Sequence, residues 1–176
     1  SLDRYLTYPL ASVVCTPRWF KRQIGSRHLR YEGFQELAYL DPRYFKPDPR
    51  ALEPLGLRAG DRLAVLRFVA WNAGHDIGHS GFTNQQKRQL LGELDREGPV
   101  LVSAEGELPS DLAGYQVHVA PERMHDLLYY ASLYAGEGAT MATEAGLLGT
   151  PSVYVSSLVG AMGNYEDLAR YGLVEA

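Results

Sequence analysis

The sequence holds a single cysteine, Cys15, which excludes an internal disulfide framework and any cage of cysteine thiolates around zinc. A reducing, cytoplasmic setting is the expectation that follows. No apolar run approaches the ~20 residues that span a bilayer, so no integral membrane segment is expected. The longest candidate, Leu63-Ala64-Val65-Leu66-Arg67-Phe68-Val69-Ala70-Trp71, is broken by an arginine and has the length of a buried strand. No signal-peptide pattern occurs at Ser1-Leu2-Asp3-Arg4-Tyr5. Neither a Walker phosphate loop nor a Gly-x-Ser-x-Gly nucleophile elbow is present. Positive charge is also scarce beyond the first 50 residues. Residues 1–50 carry nine Lys/Arg against five Asp/Glu, and residues 51–176 carry eight against sixteen. An acidic main body has no general attraction for a phosphate backbone, which argues against nucleic acid as a partner. The basic stretch Arg18, Lys21, Arg22, Arg27, Arg30 is either a solvated face or a local anion patch.

What is there is an ordinary globular composition, 45% hydrophobic and 22% charged over 176 residues, which suits one domain with a real core. From residue 61 onward short β-rich runs alternate with helical runs, the signature of a parallel sheet covered by helices on both faces. Strands are expected at 62–70, 99–104, 115–119, 133–135 and 152–155, each near-continuously apolar. A helix follows Thr83, whose pairing with Gln86 is a capping box, and carries Leu90, Leu91 and Leu94 on one face. A second begins at Pro121 and places Met124, Leu127, Leu128 and Ala131 at helical spacing. A third starts near Ala139 and stops before Gly149-Thr150-Pro151, and a last one covers 165–171. Residues 1–60 differ: a strand at 12–15, a helical turn at 18–24, a strand at 28–31, then an irregular connection over 33–49, where Asp41-Pro42, Lys46-Pro47 and Asp48-Pro49 oppose helix. Cys15, in an apolar stretch, is expected as a buried small hydrophobe. His118 is read as a structural strand residue and His125 as a helix-surface histidine.

Two motifs carry candidate chemistry. In Gly136-Glu137-Gly138-Ala139-Thr140, two glycines precede a helix whose free N–H groups and dipole favour a phosphate or another anion. Thr140, Thr143, Glu144 and Leu147 share one helix face, with Met141, Ala145 and Leu148 on a more apolar face expected to pack on the sheet. Glu144, one turn in, could accept hydrogen bonds from a ribose diol; the alternative is a plain tight turn and a solvated glutamate. The second motif, Gly74-His75-Asp76-Ile77-Gly78-His79, follows the first strand of the alternating region and should open on the same sheet edge. His75 with Asp76 could supply acid–base chemistry, or be simple loop residues. The glycines around His75 and His79 oppose the helical spacing a metal site would need, so no metal is expected. Glu105 emerges at the same edge, as a ligand group or as a solvated carboxylate.

The segment Gly136-Glu137-Gly138-Ala139-Thr140-Met141-Ala142-Thr143-Glu144-Ala145, closed by Leu148-Gly149-Thr150-Pro151, resembles the second lobe of GT-B glycosyltransferases and of non-hydrolysing UDP-N-acetylglucosamine 2-epimerases. Together with Tyr31-Glu32-Gly33-Phe34-Gln35-Glu36-Leu37-Ala38-Tyr39-Leu40, Arg67-Phe68-Val69-Ala70 and Gly74-His75-Asp76, it is also similar to the prokaryotic family called domain of unknown function 354, over about residues 9–174. The resemblance implies two Rossmann-like lobes with a cleft between them. This chain would hold the end of the first lobe (1–31), the connection (32–60) and the nucleotide-binding second lobe (61–176). Carried over residue by residue, Gly136, Gly138, Ala139 and Thr140 would meet the diphosphate of a nucleotide or nucleotide-sugar, and Glu144 the ribose. Glu137 departs from the epimerase pattern and adds negative charge beside the diphosphate position. His75 and Asp76 would assist at the reacting sugar. No cofactor is implied, the fragment alone is expected to be inactive, and an apolar docking face could drive self-association. The contrasting reading is a non-catalytic Rossmann-like module that binds a nucleotide or a partner.

Overall fold

The computed structural model describes residues 3–69, 81–156 and 163–175. Along the chain these form α1 (Asp3–Leu6), β1 (Val14–Pro17), β2 (His28–Tyr31), α2 (Leu37–Leu40), β3 (Ala64–Phe68), α3 (Asn84–Leu94), β4 (Val100–Ala104), α4 (Met124–Tyr130), β5 (Leu133–Gly136), α5 (Ala139–Leu147), β6 (Ser152–Tyr154), α6 (Gly163–Arg170) and β7 (Val174–Glu175). β1 and β2 pair in parallel as a small separate sheet, while the main sheet has the order β4-β3-β5-β6-β7 and is parallel throughout.

The main sheet is covered on both faces because its central strand is apolar on both. Along β3, Ala64, Leu66 and Phe68 join Val100, Val102, Ala135 and the α3 residue Leu91 in one core cluster. Val65 points the other way, into a cluster with Tyr134, Leu127 and Leu128 of α4, Ala142 and Ala145 of α5, and Leu168 of α6. This is a Rossmann-like α/β layer architecture, as the alternation of runs requires. The capping box of α3 is formed: Thr83 Oγ1 accepts from the Gln86 N–H at 3.2 Å, and the Gln86 side chain accepts from the Thr83 N–H at 2.9 Å. Pro121 opens a short 3₁₀ turn, Pro121–Arg123, that leads into α4.

Several expectations are corrected. Residues 115–119 form no strand: a 3₁₀ turn, Ala113–Tyr115, is followed by extended chain that touches β4 through one bridge, Val102 with Gln116, and His118 there is exposed. Residues 18–24 form a turn and irregular chain rather than a helix. Arg30 of β2 donates to the carbonyls of Arg18 and Arg22, while Arg18 pairs with Glu32 and Lys21 with Glu166 at the surface. Cys15 is exposed, since a two-stranded sheet leaves one side uncovered. The stretch 33–49 contains the helical turn α2 and is docked on the main body: Phe34, Leu40 and the following Leu52 are buried, and the buried Asp126 of α4 accepts from the Asp48 N–H at 2.9 Å. β7 has no counterpart among the expected strands. Among the described residues no helix is long and apolar enough to cross a membrane.

Candidate functional site

In a parallel sheet, ligands bind beyond the carboxyl ends of the strands where the strand order reverses. Here the chain leaves β3 toward β4 on one side and returns to β5 on the other, so the reversal lies between the ends of β3 and β5. Gly136 closes β5 at that point, in register with Arg67 of β3, and leads through Glu137 and Gly138 into α5.

The two glycines have a steric role of their own, which fits the tight-turn alternative. A Cβ on Gly136 would collide with the Arg67 carbonyl, and one on Gly138 would stand 2.8 Å from Arg67 Cγ and 3.0 Å from the Tyr134 hydroxyl. Both are needed for β5 and the first turn of α5 to lie close against β3. That turn is braced from below: the Tyr134 hydroxyl donates to the Gly138 carbonyl at 3.1 Å and the Tyr165 hydroxyl to the Ala139 carbonyl at 2.6 Å. Burial pushes both phenols well above their ordinary value, which keeps them protonated and donating. Helix geometry leaves the N–H groups of the first turn without intrahelical acceptors, and Thr140 in that turn is exposed.

Glu144 lies four residues beyond Thr140. It is 7% exposed, not solvated, because α2 and α4 cover it. The Tyr39 hydroxyl donates to its Oε1 at 2.8 Å, and His125 Nε2 lies 3.1 Å from the same oxygen. A carboxylate only accepts, so that ring nitrogen carries the proton. The Tyr39 and His125 rings stack with centroids 5.4 Å apart, and Phe45 meets His125 edge-on at 6.1 Å. His125 is thus part of this cluster rather than a surface histidine. The Tyr39 phenol is pushed up, first by burial and then by its bond to Glu144, although the residue as a whole remains 43% exposed. Neither Tyr39 nor His125 was singled out as a Glu144 partner; their partnership links sequence positions too distant for any periodicity to report. Nearby, Glu36 is buried with one oxygen, Oε2, that has no hydrogen-bond partner.

Glu137 lies between β5 and the cap of α5. Only 4% exposed, it accepts the Val69 N–H on Oε2 at 2.8 Å and the Phe82 N–H on Oε1, while its own N–H donates to the Arg67 carbonyl at 3.0 Å. Glu105 stands at the end of β4, where Arg67 Nη2 pairs with it at 2.8 Å and Arg67 Nη1 donates to Ser103 Oγ at 2.7 Å. Arg67, missed as a site residue, therefore joins the ends of β3 and β4 beneath Gly138.

The expected residues divide accordingly. Gly136, Gly138, Ala139, Thr140 and Glu144 share β5 and α5, and Glu105 sits one strand beyond β3 on the same edge. His75 and Asp76 lie outside the described residues. Two open cavities of about 1070 and 660 Å³ are lined from residues 5–27 and from between residues 18–37, α5 and α6, and neither includes Gly138 or Glu144. Among the described residues no group of three or more His, Cys, Asp or Glu side chains could hold a metal ion.

No family model matches the chain, and no curated protein does. Among solved structures it is similar to a point variant of the wall teichoic acid polymerase TagF, with 13% sequence identity and a TM-score of 0.49 over 86% of this chain and 41% of that one. The chain spans less than half the length of that structure.

Proposed function

We propose that this chain is the C-terminal, nucleotide-binding lobe of a GT-B-like enzyme acting on a nucleotide-activated sugar, by glycosyl transfer or epimerisation. The observation that carries the reading is the N-terminus of α5 at the β3/β5 reversal, with Thr140 and Glu144 one turn apart on the helix that rises from it. Amides at Gly138, Ala139 and Thr140 receive the diphosphate, which a helix N-terminus favours through its unpaired N–H groups and dipole. Glu144 receives the ribose hydroxyls: Tyr39 and His125 hold Oε1, and Oε2 serves the diol. Backbone donors stabilise the departing diphosphate without requiring a metal. His75 and Asp76 act at the sugar, with Glu105 at the rim.

The separate parallel pair β1–β2 supports a two-lobe protein, in which residues 1–31 belong to the first lobe and 32–60 connect the two. Parallel strands are ordinarily covered on both faces, whereas the paired Cys15 and Leu29 here are exposed. The chain by itself is then inactive, and its uncovered strands favour self-association. Full turnover by these 176 residues alone would sink the two-lobe reading.

A second reading, a Rossmann-like module without chemistry, is favoured by one observation: Glu144 already accepts two hydrogen bonds inside the protein. Saturation-transfer NMR against UDP, GDP, CDP, ADP and TDP, repeated with Glu144→Ala, tests the leading reading. The expected result is transfer to the ribose protons of one nucleotide, lost in the variant. Absence of binding to both this chain and the full-length protein would overturn it.

A further inference from the structure

We propose that α2 is a hinged strap that closes over Glu144, and that the buried Glu36 carboxylate at its base biases it to open. What an open strap admits rests on the function proposed above; the opening itself does not.

Glu36 stands at the N-terminal edge of α2, a place where a glutamate is ordinarily hydrated. It is instead 7% exposed, and its Oε2 is covered by protein with no hydrogen-bond partner. A buried polar group left without a partner costs more than a hydrogen bond normally contributes, and more again when it is charged. Among the described residues neither Glu36 nor Glu144 pairs with a lysine or arginine, and His125 is the basic side chain that meets Glu144. Burial is the largest cause that raises the Tyr39 phenol, and the charges of Glu144 and Glu36 both add to it, so the two carboxylates lie around one hydroxyl and repel each other. Because Oε2 is covered, no donor reaches it while α2 stays docked. Lifting the segment hydrates Glu36, separates the two carboxylates and uncovers Glu144.

What holds the strap closed is small. α2 is a single turn whose buried residue is Leu40, with the Leu40 N–H donating to the Glu36 carbonyl at 2.9 Å. The Tyr39 hydroxyl, bonded to Glu144 Oε1 at 2.8 Å, is the clasp, while Leu37 and Tyr39 are themselves exposed. The chain can absorb the movement on both sides. Gly33 enters the segment with φ at +91°, and the next fixed point beyond it is the Asp48 N–H on Asp126. One helical turn with one apolar anchor belongs to the part of a fold that opens locally, well before the core does.

Hydrogen exchange on the unaltered protein is the first test. The Leu40 amide should exchange through a local opening, with less protection than Leu66 and Val102 in the β3–β4 ladder and with little dependence on added urea. If Leu40 matches those two in protection and in urea dependence, α2 does not lift and the proposal falls. E36M replaces the carboxylate by an apolar chain of the same length and should slow Leu40 exchange about tenfold, the scale of one unsatisfied buried group. An unchanged or faster rate would overturn the bias assigned to Glu36. Y39F removes the clasp and should quicken Leu40 exchange. The uncovering of Glu144 is read separately, by coupling its carboxyl group to glycinamide with a water-soluble carbodiimide and following the product by peptide mass spectrometry. Labelling at Glu144 should slow in E36M and quicken in Y39F, in step with Leu40 exchange; labelling that follows neither variant would overturn the strap. If the exchange and labelling signs hold while no nucleoside diphosphate binds this chain or the full-length protein, the strap stands and the nucleotide-sugar reading falls.

Discussion

Glu137 precedes the cap of α5 and Glu144 lies within that helix; they are buried to a similar degree, 4% and 7% exposed, yet they are held in opposite ways. Two partners of Glu137 are backbone N–H groups, which cannot leave without moving the chain. Those of Glu144 are the Tyr39 hydroxyl and the His125 ring, which can rotate aside or share the carboxylate with another donor. Burial alone therefore does not separate a carboxylate that holds the fold from one that can meet a ligand. The kind of donor does, because a side-chain partner is exchangeable at the cost of about one hydrogen bond.

The largest effect should come from Glu137→Ala. It removes two charge-assisted bonds from partly buried amides, and a loss of about 3 kcal/mol in unfolding free energy by urea titration is expected. Glu144→Ala should cost less, about 1–2 kcal/mol, since Tyr39 is half open to water and can hydrate its freed hydroxyl. Equal losses for the two variants would break the comparison. Glu144→Gln sharpens it further: an amide oxygen still accepts from Tyr39 and His125, so stability should stay within about 1 kcal/mol of the original. If Glu144 meets a ribose as proposed, nucleotide affinity should by contrast fall at least about tenfold, the usual worth of a charged acceptor against a neutral one.

Tyr39→Phe probes the exchangeable side alone, and a loss of about 1 kcal/mol is expected at neutral pH. The pH dependence has a definite sign. Because the folded-state phenol is pushed above the ordinary value of 10.0, the unfolded chain ionises first as pH rises. The contribution of this hydroxyl is fully present below that value and is lost above it, so the gap between the original protein and Tyr39→Phe should close in alkaline solution. A gap that stays constant would mean that the folded state does not hold this phenol above its ordinary value.

The main sheet was legible because its strands are short apolar runs bounded by glycine, proline or polar clusters, and α3 because its cap is written in Thr83 and Gln86. The first turn of α5 was legible for the same local reason. What local pattern could not reveal is tertiary. Residues 115–119 look like a strand, but they flank the edge strand β4 and diverge from it after one bridge at Gln116. β7 is two residues long and exists because Leu173 and Val174 pack on Gly146 of α5. The Tyr39–Glu144 bond joins residues 105 positions apart, and no periodicity announces it. Glu137 was misjudged for a different reason: a carboxylate at a helix mouth reads as free charge until its backbone donors are visible. Gly136 and Gly138 were correctly placed at the sheet edge, but the cause now visible is the closeness of Arg67 and Tyr134.

The smallest expected change in stability is also the most discriminating for ligand binding. Thr140 is exposed in the first turn of α5, and valine has nearly the helix propensity of threonine, so Thr140→Val should leave unfolding free energy within about 0.5 kcal/mol. It removes one hydroxyl donor from the face between the helix mouth and Glu144, and it leaves Glu137, Glu144 and their partners in place. If a diphosphate lies along that face, affinity for the bound nucleotide should fall about fivefold by calorimetric titration, the equivalent of about 1 kcal/mol for a single hydrogen bond. An unchanged affinity beside a large loss in Glu144→Gln would mean that a ligand reaches the carboxylate from the Tyr39 side, bypassing the mouth of α5. The exchangeable carboxylate would then be the functional centre, and the glycine turn, like Glu137, would serve only to hold the strands together.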